Sequence, residues 1–206
     1  RSSALWRREK MLEFDREAHA YRWGTRRVPS VTQIIRVAIG DQFMHVAPHV
    51  LELARQRGNA VHKACELDDA GELDEASVDK RIVPYIEAWR KFRRQFEFRV
   101  LFAEKPLYSE TYGYAGTPDV VGELPCGTVI VIDRKTGFPG PAAALQTAAY
   151  AVLATLELRR ATTPRRFAVR MLPTGKHELH EYAALSDWRD FLACLAVHRL
   201  KERIAA

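Results

Sequence analysis

The sequence predicts an α/β protein: a central mixed β-sheet flanked by helices, preceded by an N-terminal helical lobe. Two patterns carry that expectation. FRVLFAE, TPDVVGEL and TVIVIDRK are β-rich runs separated by Gly and Pro, and the last is nearly all apolar, as suits a central strand buried on both faces. Around them lie segments of helical periodicity or of unbroken strong helix formers. At 206 residues the chain is read as a single domain, 1–206, with a hairpin and helical lobe over 1–97 and an α/β core over 98–206.

LEFDREAHAYRWGTRRVPSVTQII alternates aromatic and polar residues around Gly24, the pattern of a hairpin. Pro29-Ser30 marks a helix start, with Ser30 as N-cap and Val31, Ile34 and Ile35 as the buried stripe. A second helix is expected over roughly 47–67, with Val50, Leu51, Leu53, Ala54, Val61 and Cys65 inward. LDDAGELDEASVD reads as a solvated acidic connection. It leads into an amphipathic helix from about Lys80 to Phe96, where Ile82, Ile86, Trp89, Phe92 and Phe96 share a face. Beyond the three strands, AAALQTAAYAVLATLEL reads as a helix, RRFAVRML and HELHEYAAL as strands, and SDWRDFLACLAVHRLKERI as a closing amphipathic helix.

Thirty-two Lys and Arg against 26 Asp and Glu leave a formal charge of +6 and a pI near 9.4, which favours a polyanionic partner such as nucleic acid. Hydrophobic residues at 47% and charged residues at 28% exclude disorder as a description of the whole chain. No window approaches the ~18 uncharged apolar residues of a membrane span. Cys65, Cys126 and Cys194 are far apart and odd in number, so neither a disulfide framework nor a Cys-x-x-Cys site fits them, and a reduced, intracellular, soluble protein is expected.

The chemistry concentrates in YAGTPDVVGELPCGTVIVIDRKTGFPGPAAALQTAAYA. Side chains alternate along a strand, so Asp133 and Lys135 point one way and Arg134 the other. A carboxylate and an ammonium at the end of an apolar strand are expensive if merely buried. They gain a purpose beside a divalent cation and a bound water. Asp119, at the start of the preceding strand, comes alongside Asp133 if the two strands pair as a hairpin through Leu124–Thr128. Two converging carboxylates suit Mg²⁺ or Mn²⁺, and Lys135 in the same pocket could orient and activate an attacking water.

Pro118-Asp119, thirteen intervening residues, then Asp133-Arg134-Lys135 resembles the signature of the PD-(D/E)XK nuclease superfamily. Outlying residues are similar to the RecB-like branch: His62 in Gly58-Asn59-Ala60-Val61-His62, Gly116 three before the first Asp, and Gln146 and Tyr150 as a QxxxY on the next helix. HAYRWGTRRVPSVTQII resembles the opening hairpin and helix of phage nucleases in this branch, a feature shared by the mitochondrial genome-maintenance exonuclease. The resemblance implies a restriction-endonuclease-like core with catalytic Asp119, Asp133 and Lys135. It implies one or two Mg²⁺ or Mn²⁺ ions held by His62, Asp119, Asp133 and the backbone carbonyl of Arg134, with Lys135 positioning the water. Gln146 and Tyr150 would contact phosphate or sugar. Glu104 is an accessory candidate on the first core strand, with Glu110 as its rival. Relatives that clasp an iron–sulfur cluster use four cysteines, a set this chain lacks, so no cluster is expected.

Each of these residues also has a plain structural explanation when taken alone; the ordered combination is what points to chemistry. The basic residues Arg90, Lys91, Arg93 and Arg94, Arg159, Arg160, Arg165 and Arg166, and Arg26 and Arg27 are solvated faces unless they line a DNA path, and Arg93 and Arg94 are the substrate-binding candidates among them. Trp23 and Trp89 could stack on bases, although Trp89 fits the apolar stripe of its helix better. His19, His45, His49, His177, His180 and His198 are assigned no role. The function implied is a cytoplasmic DNA nuclease of a bacterium or phage-infected cell. Its expected action is exonucleolytic, on single-stranded or end-bearing DNA, with a recombination or helicase partner and no membrane. The alternatives are an endonuclease of a recombination machine and a non-catalytic DNA-binding module derived from a nuclease.

Overall fold

The computed structural model describes residues 11–15, 18, 20–40 and 46–205; His19 and His45 fall outside them. The N-terminal alternation produces an antiparallel meander of Leu12–Asp15 (β1), Ala20–Trp23 (β2) and Arg26–Val28 (β3), with Gly24 taking φ 60° in the second turn. Ser30 caps Val31–Ile39 (α1) through a reciprocal pair: its hydroxyl accepts from the Gln33 amide, and Gln33 Oε1 accepts from the Ser30 amide. Pro48–Ala70 (α2) and Val83–Phe96 (α3) follow, joined through a short 3₁₀ turn at Glu75–Ser77.

Arg99–Ala103 (β4), a small hairpin of Leu107–Ser109 (β5) and Tyr114–Gly116 (β6), then Val120–Glu123 (β7) and Val129–Lys135 (β8) come next. Ala142–Leu158 (α4), Arg165–Met171 (β9), His177–Tyr182 (β10) and Ser186–Ala205 (α5) complete the order. The β5–β6 hairpin was not expected from the sequence; it bridges to the N-terminus through Ser30 and Ala115. The main sheet runs β10-β9-β8-β7-β4, with β8 and β9 parallel and the other pairs antiparallel. Helix α4 supplies the crossover that a parallel pair requires.

Alternation along the central β8 sends Val129 and Val131 to one face, against Ile34 of α1, Leu153 of α4 and Phe191 of α5. It sends Ile130 and Ile132 to the other, against Val61 of α2 and Ile86 and Trp89 of α3. The protein is therefore α/β with a central mixed sheet covered on both faces. The N-terminal helices expected to form a lobe are instead the covering layers themselves, because their apolar stripes have no other surface to bury against. On α2 that stripe begins only at Val61: Val50 and Leu53, expected inward, are 46% and 62% exposed, while Val61, Ala64 and Cys65 meet the α3 residues.

Of the acidic stretch, 71–79 is the solvated connection expected, most of it exposed, but its first four residues are not. Leu67–Ala70 form the last turn of α2, and Asp69 accepts from Trp89 Nε1 at 2.9 Å and Arg93 at 2.6 Å, with Arg134 at 3.5 Å. Asp68, Glu75 and Glu87 take Arg90. Among the described residues, no helix is long and apolar enough to cross a membrane. Asp69 is nearly inaccessible and neutralises two guanidinium groups. Asp69→Ala is expected to lower the unfolding free energy by about 1–3 kcal/mol, because the buried Trp89 indole N–H loses its acceptor and Arg93 its acid while Arg134 keeps Glu104. Urea denaturation checks this, and a loss below about 1 kcal/mol would relegate the cluster to the weak class of surface pairs.

Candidate metal centre and flanking clefts

The strand ends bring the carboxylates together. Val120 pairs with Ile132 in the β7–β8 ladder, so the next residues outward, Asp119 and Asp133, stand opposite one another, as the hairpin expectation required. Asp119 is fixed by the Arg134 amide, which donates to its Oδ2 at 2.7 Å. Glu104, just past β4, takes a left-handed φ of 47° while its amide bonds to the carbonyls of Pro118 and Asp119. Non-glycine residues are held in that conformation only where surrounding structure over-determines it. Here it turns the Glu104 side chain toward the head of β7.

His62 completes the group from α2. Its Nε2 lies 2.8 Å from the Arg134 carbonyl oxygen, which can only accept, so Nε2 carries the hydrogen. The other ring nitrogen, Nδ1, then faces Asp119 Oδ2 at 3.6 Å and Glu104 Oε1 at 3.9 Å. One donor atom from each of His62, Glu104 and Asp119 lies within 4.8 Å of the others. A neutral imidazole lone pair aimed at two carboxylates is repulsive, and a proton or a cation between them relieves it. Burial opposes charging His62, but Asp119 and Glu104 outweigh it and raise its pKa above the ordinary 6.5. The donor set, one nitrogen and two carboxylate oxygens, fits a divalent cation of the Mn²⁺ or Mg²⁺ kind.

Two expected ligands sit beside this group rather than in it. The Arg134 carbonyl is taken by His62. Asp133 is paired with Lys135, whose Nζ lies 2.9 Å from both carboxylate oxygens, donates to Oδ1, and leaves Oδ2 with no hydrogen bond. Lys135 also donates to Gln146 Oε1 at 3.3 Å, and Gln146 Nε2 donates to the Tyr150 hydroxyl at 3.2 Å, so the QxxxY pair is joined to the strand end. Gly116 belongs to the same arrangement: a β-carbon there would lie 2.7 Å from the Tyr150 ring and 2.9 Å from Val31. Of the rival glutamates, Glu104 joins the group and Glu110 is exposed on the β5–β6 turn.

Sequence reasoning gave the Arg134 side chain no role beyond pointing away from Asp133. It is fully buried, donates to Glu104 at 3.0 Å, approaches Asp69 at 3.5 Å, and lies over the Trp89 ring. It thus holds Glu104 from behind. The signal was available: an arginine on the far face of a doubly buried strand must find an acid on that side. Arg93, expected on substrate, is engaged by Asp69 and lies against Phe98; Arg94 stands with it away from the metal group, on a depression shared with Asp68 and Glu97.

A cleft of about 620 Å³ opens over the three ligand residues and is lined also by Arg55, Lys63, Thr117 and Tyr150. A second of about 590 Å³, reaching Lys135, shares Thr32 and Gln146 with it. No protein-family model matches the chain, and no curated protein matches it. Among solved structures it is similar to the crystal structure of SSO0001, at 14% identity and a TM-score of 0.41 over 83% of this chain and 74% of that one. A likeness that slight carries no argument about fold or function.

Burial raises the Asp133 pKa from 3.8 to about 6, Lys135 opposing the shift and Asp119 adding to it. Between those values the folded protein keeps a proton that the unfolded chain has released, so stability falls as pH rises through that window. In metal-free buffer, Asp133→Asn is expected to flatten that part of the pH–stability profile. Identical slopes in variant and wild type would contradict the assignment.

Proposed function

We propose that this chain is a metal-dependent DNA nuclease of the PD-(D/E)XK type, RecB-like branch, with the mixed sheet as its restriction-endonuclease-like core. The observation that carries the reading is the acceptor face of His62, which meets Glu104 and Asp119 within 4.8 Å beside a buried Asp133–Lys135 pair. The order Pro118-Asp119 then Asp133-Arg134-Lys135 supports it, as does the linkage of Gln146 and Tyr150 to Lys135. His62, Glu104 and Asp119 would hold the cation, with Asp133 Oδ2 as a further donor. Such a cation supplies Lewis-acid stabilisation of the phosphodiester and lowers the pKa of a water.

The remaining work falls to side chains. Burial disfavours the Lys135 ammonium, yet Asp133 and Asp119 hold its pKa above the ordinary 10.5, so it stays charged. Lys135 therefore donates hydrogen bonds and positive charge to a phosphate whose negative charge grows, and it cannot act as the base. Asp133, 2.9 Å from Nζ, fixes that ammonium while its Oδ2 is left for the cation. Gln146 orients Lys135 from the second cleft. In this reading the substrate is DNA with a single-stranded or free end, cut exonucleolytically.

With Mg²⁺ or Mn²⁺, end-labelled linear single-stranded DNA is expected to be degraded and closed circles to survive. Lys135→Ala should lose about a hundredfold or more of the rate while Mn²⁺ and DNA binding persist. Nicked circles would make it an endonuclease, and no cleavage by the wild type would overturn the nuclease reading.

Mn²⁺ binding requires neutral His62, so affinity should fall as pH drops through its raised pKa, with about one proton released per ion above the level set by the carboxylates. Calorimetry in buffers of different ionisation enthalpy reads that proton. Affinity independent of pH would remove His62 from the ligand set.

A further inference from the structure

We infer that the second cleft is a nucleotide subsite next to the scissile position, with Phe138 as the platform for an unpaired base and Arg36 as the contact for its phosphate. The inference rests on the nuclease reading and adds to it the strandedness of the substrate.

The cleft's two charged lining residues, Arg36 and Lys135, are both cations, and no carboxylate lines it. The metal-group cleft, by contrast, contains Glu66, Glu104 and Asp119. An anion is therefore favoured in the second cleft apart from any metal. Among the described residues Arg36 makes no ion pair, unlike Arg90, Arg93, Arg160, Arg165 and Arg166, which are committed to acids. The floor is apolar, built of Ile35, Ile39, Ala142 and Ala143. Such a lining suits a ligand with one anionic end and one flat apolar body.

Phe138 is 72% exposed at the rim, three residues past β8 and facing neither core. Exposing a whole aromatic ring is unfavourable, yet Phe138 is held in position. Arg170 lies over its ring at 5.6 Å and His180 meets it edge-on at 5.8 Å. Arg170 pairs with Lys135 across the β8–β9 ladder, so the ring is anchored one strand from the reacting lysine. Gln146 and Thr32 line both clefts, which makes the path from the ligand residues to Phe138 continuous. A base whose face lies on this ring has left the stack of a duplex, so the nucleotide next to the cut is an unpaired one. Stacking tolerates any base, because each has a π-face. The subsite selects strandedness, not sequence.

The test is binding of a short single-stranded oligonucleotide carrying one 2-aminopurine, with EDTA present so that nothing is cut. Its readouts are anisotropy and 2-aminopurine fluorescence. Wild type is expected to bind the single strand more tightly than the same sequence as a duplex and to quench the probe in one register. Phe138→Ala should weaken single-strand binding about tenfold, the scale of one base–aromatic stack, and abolish the quench. Phe138→Trp should restore both, and Arg36→Gln should lower the salt slope by about one phosphate contact while leaving the quench. Circular dichroism and thermal midpoints of the variants, at exposed positions, should match wild type. DNA bound normally by Phe138→Ala with the quench intact would overturn the subsite and leave the nuclease reading standing. Failure of wild type to bind any DNA would overturn both.

Discussion

Three consecutive charged residues at the end of a strand covered on both faces set the terms for the rest of the molecule. Asp133, Arg134 and Lys135 close a β8 whose preceding residues are all buried. Water cannot solvate them fully, so each must find its partner in the protein. Alternation separates the solutions. On one face Lys135 turns to Asp133, Gln146 and, through it, Tyr150. On the other, Arg134 recruits Glu104, Asp69 and the Trp89 ring. The Arg134 backbone meanwhile serves both sides, its amide fixing Asp119 and its carbonyl fixing His62. One residue thereby orients three groups of the candidate centre.

The same requirement explains why the basic surface is a poor guide to where DNA would run. Arg90 and Arg93 on α3 look like a phosphate track in one dimension, but they are consumed by Asp68, Asp69, Glu75 and Glu87. Arg160 goes to Glu123, Arg165 to Glu181 and Arg166 to Asp187. Most of these pairs add little stability at the surface, yet each removes a cation from the pool that could meet a polyanion. What counts is the cation that makes no ion pair, and among the described residues Arg36 is of that kind next to the candidate centre.

Much of the fold was legible because local and tertiary preferences agree. Ser30 with Gln33 three residues on is a capping box in sequence and in structure. TVIVID reads as a doubly buried strand and is one. The Asp119–Asp133 juxtaposition followed from a short turn between two strands. What was missed depends on contacts that no local pattern encodes. The β5–β6 hairpin is too short for a period to register, and Gly116 shows its necessity only where Tyr150 approaches it. The inward stripe of α2 was read too far toward the N-terminus because helical periodicity does not say where the facing helix ends. Asp68 and Asp69 read as solvated with the exposed acids that follow them because their partners lie some twenty residues away on α3.

Glu104 shows how far the centre depends on that tertiary frame. Its carboxylate is shared between the Arg134 guanidinium at 3.0 Å and the ring of His62 at 3.9 Å, while its backbone is held left-handed by two carbonyls at the head of β7. Freed of Arg134 it would be one more exposed acid at a strand end. Held by Arg134, it is offered to whatever cation relieves His62 and Asp119, with its rotamer already fixed. Order imposed by the buried Arg134 is thus passed to the candidate centre, which is how a group of marginal exposure gains pre-organisation without a rigid loop of its own.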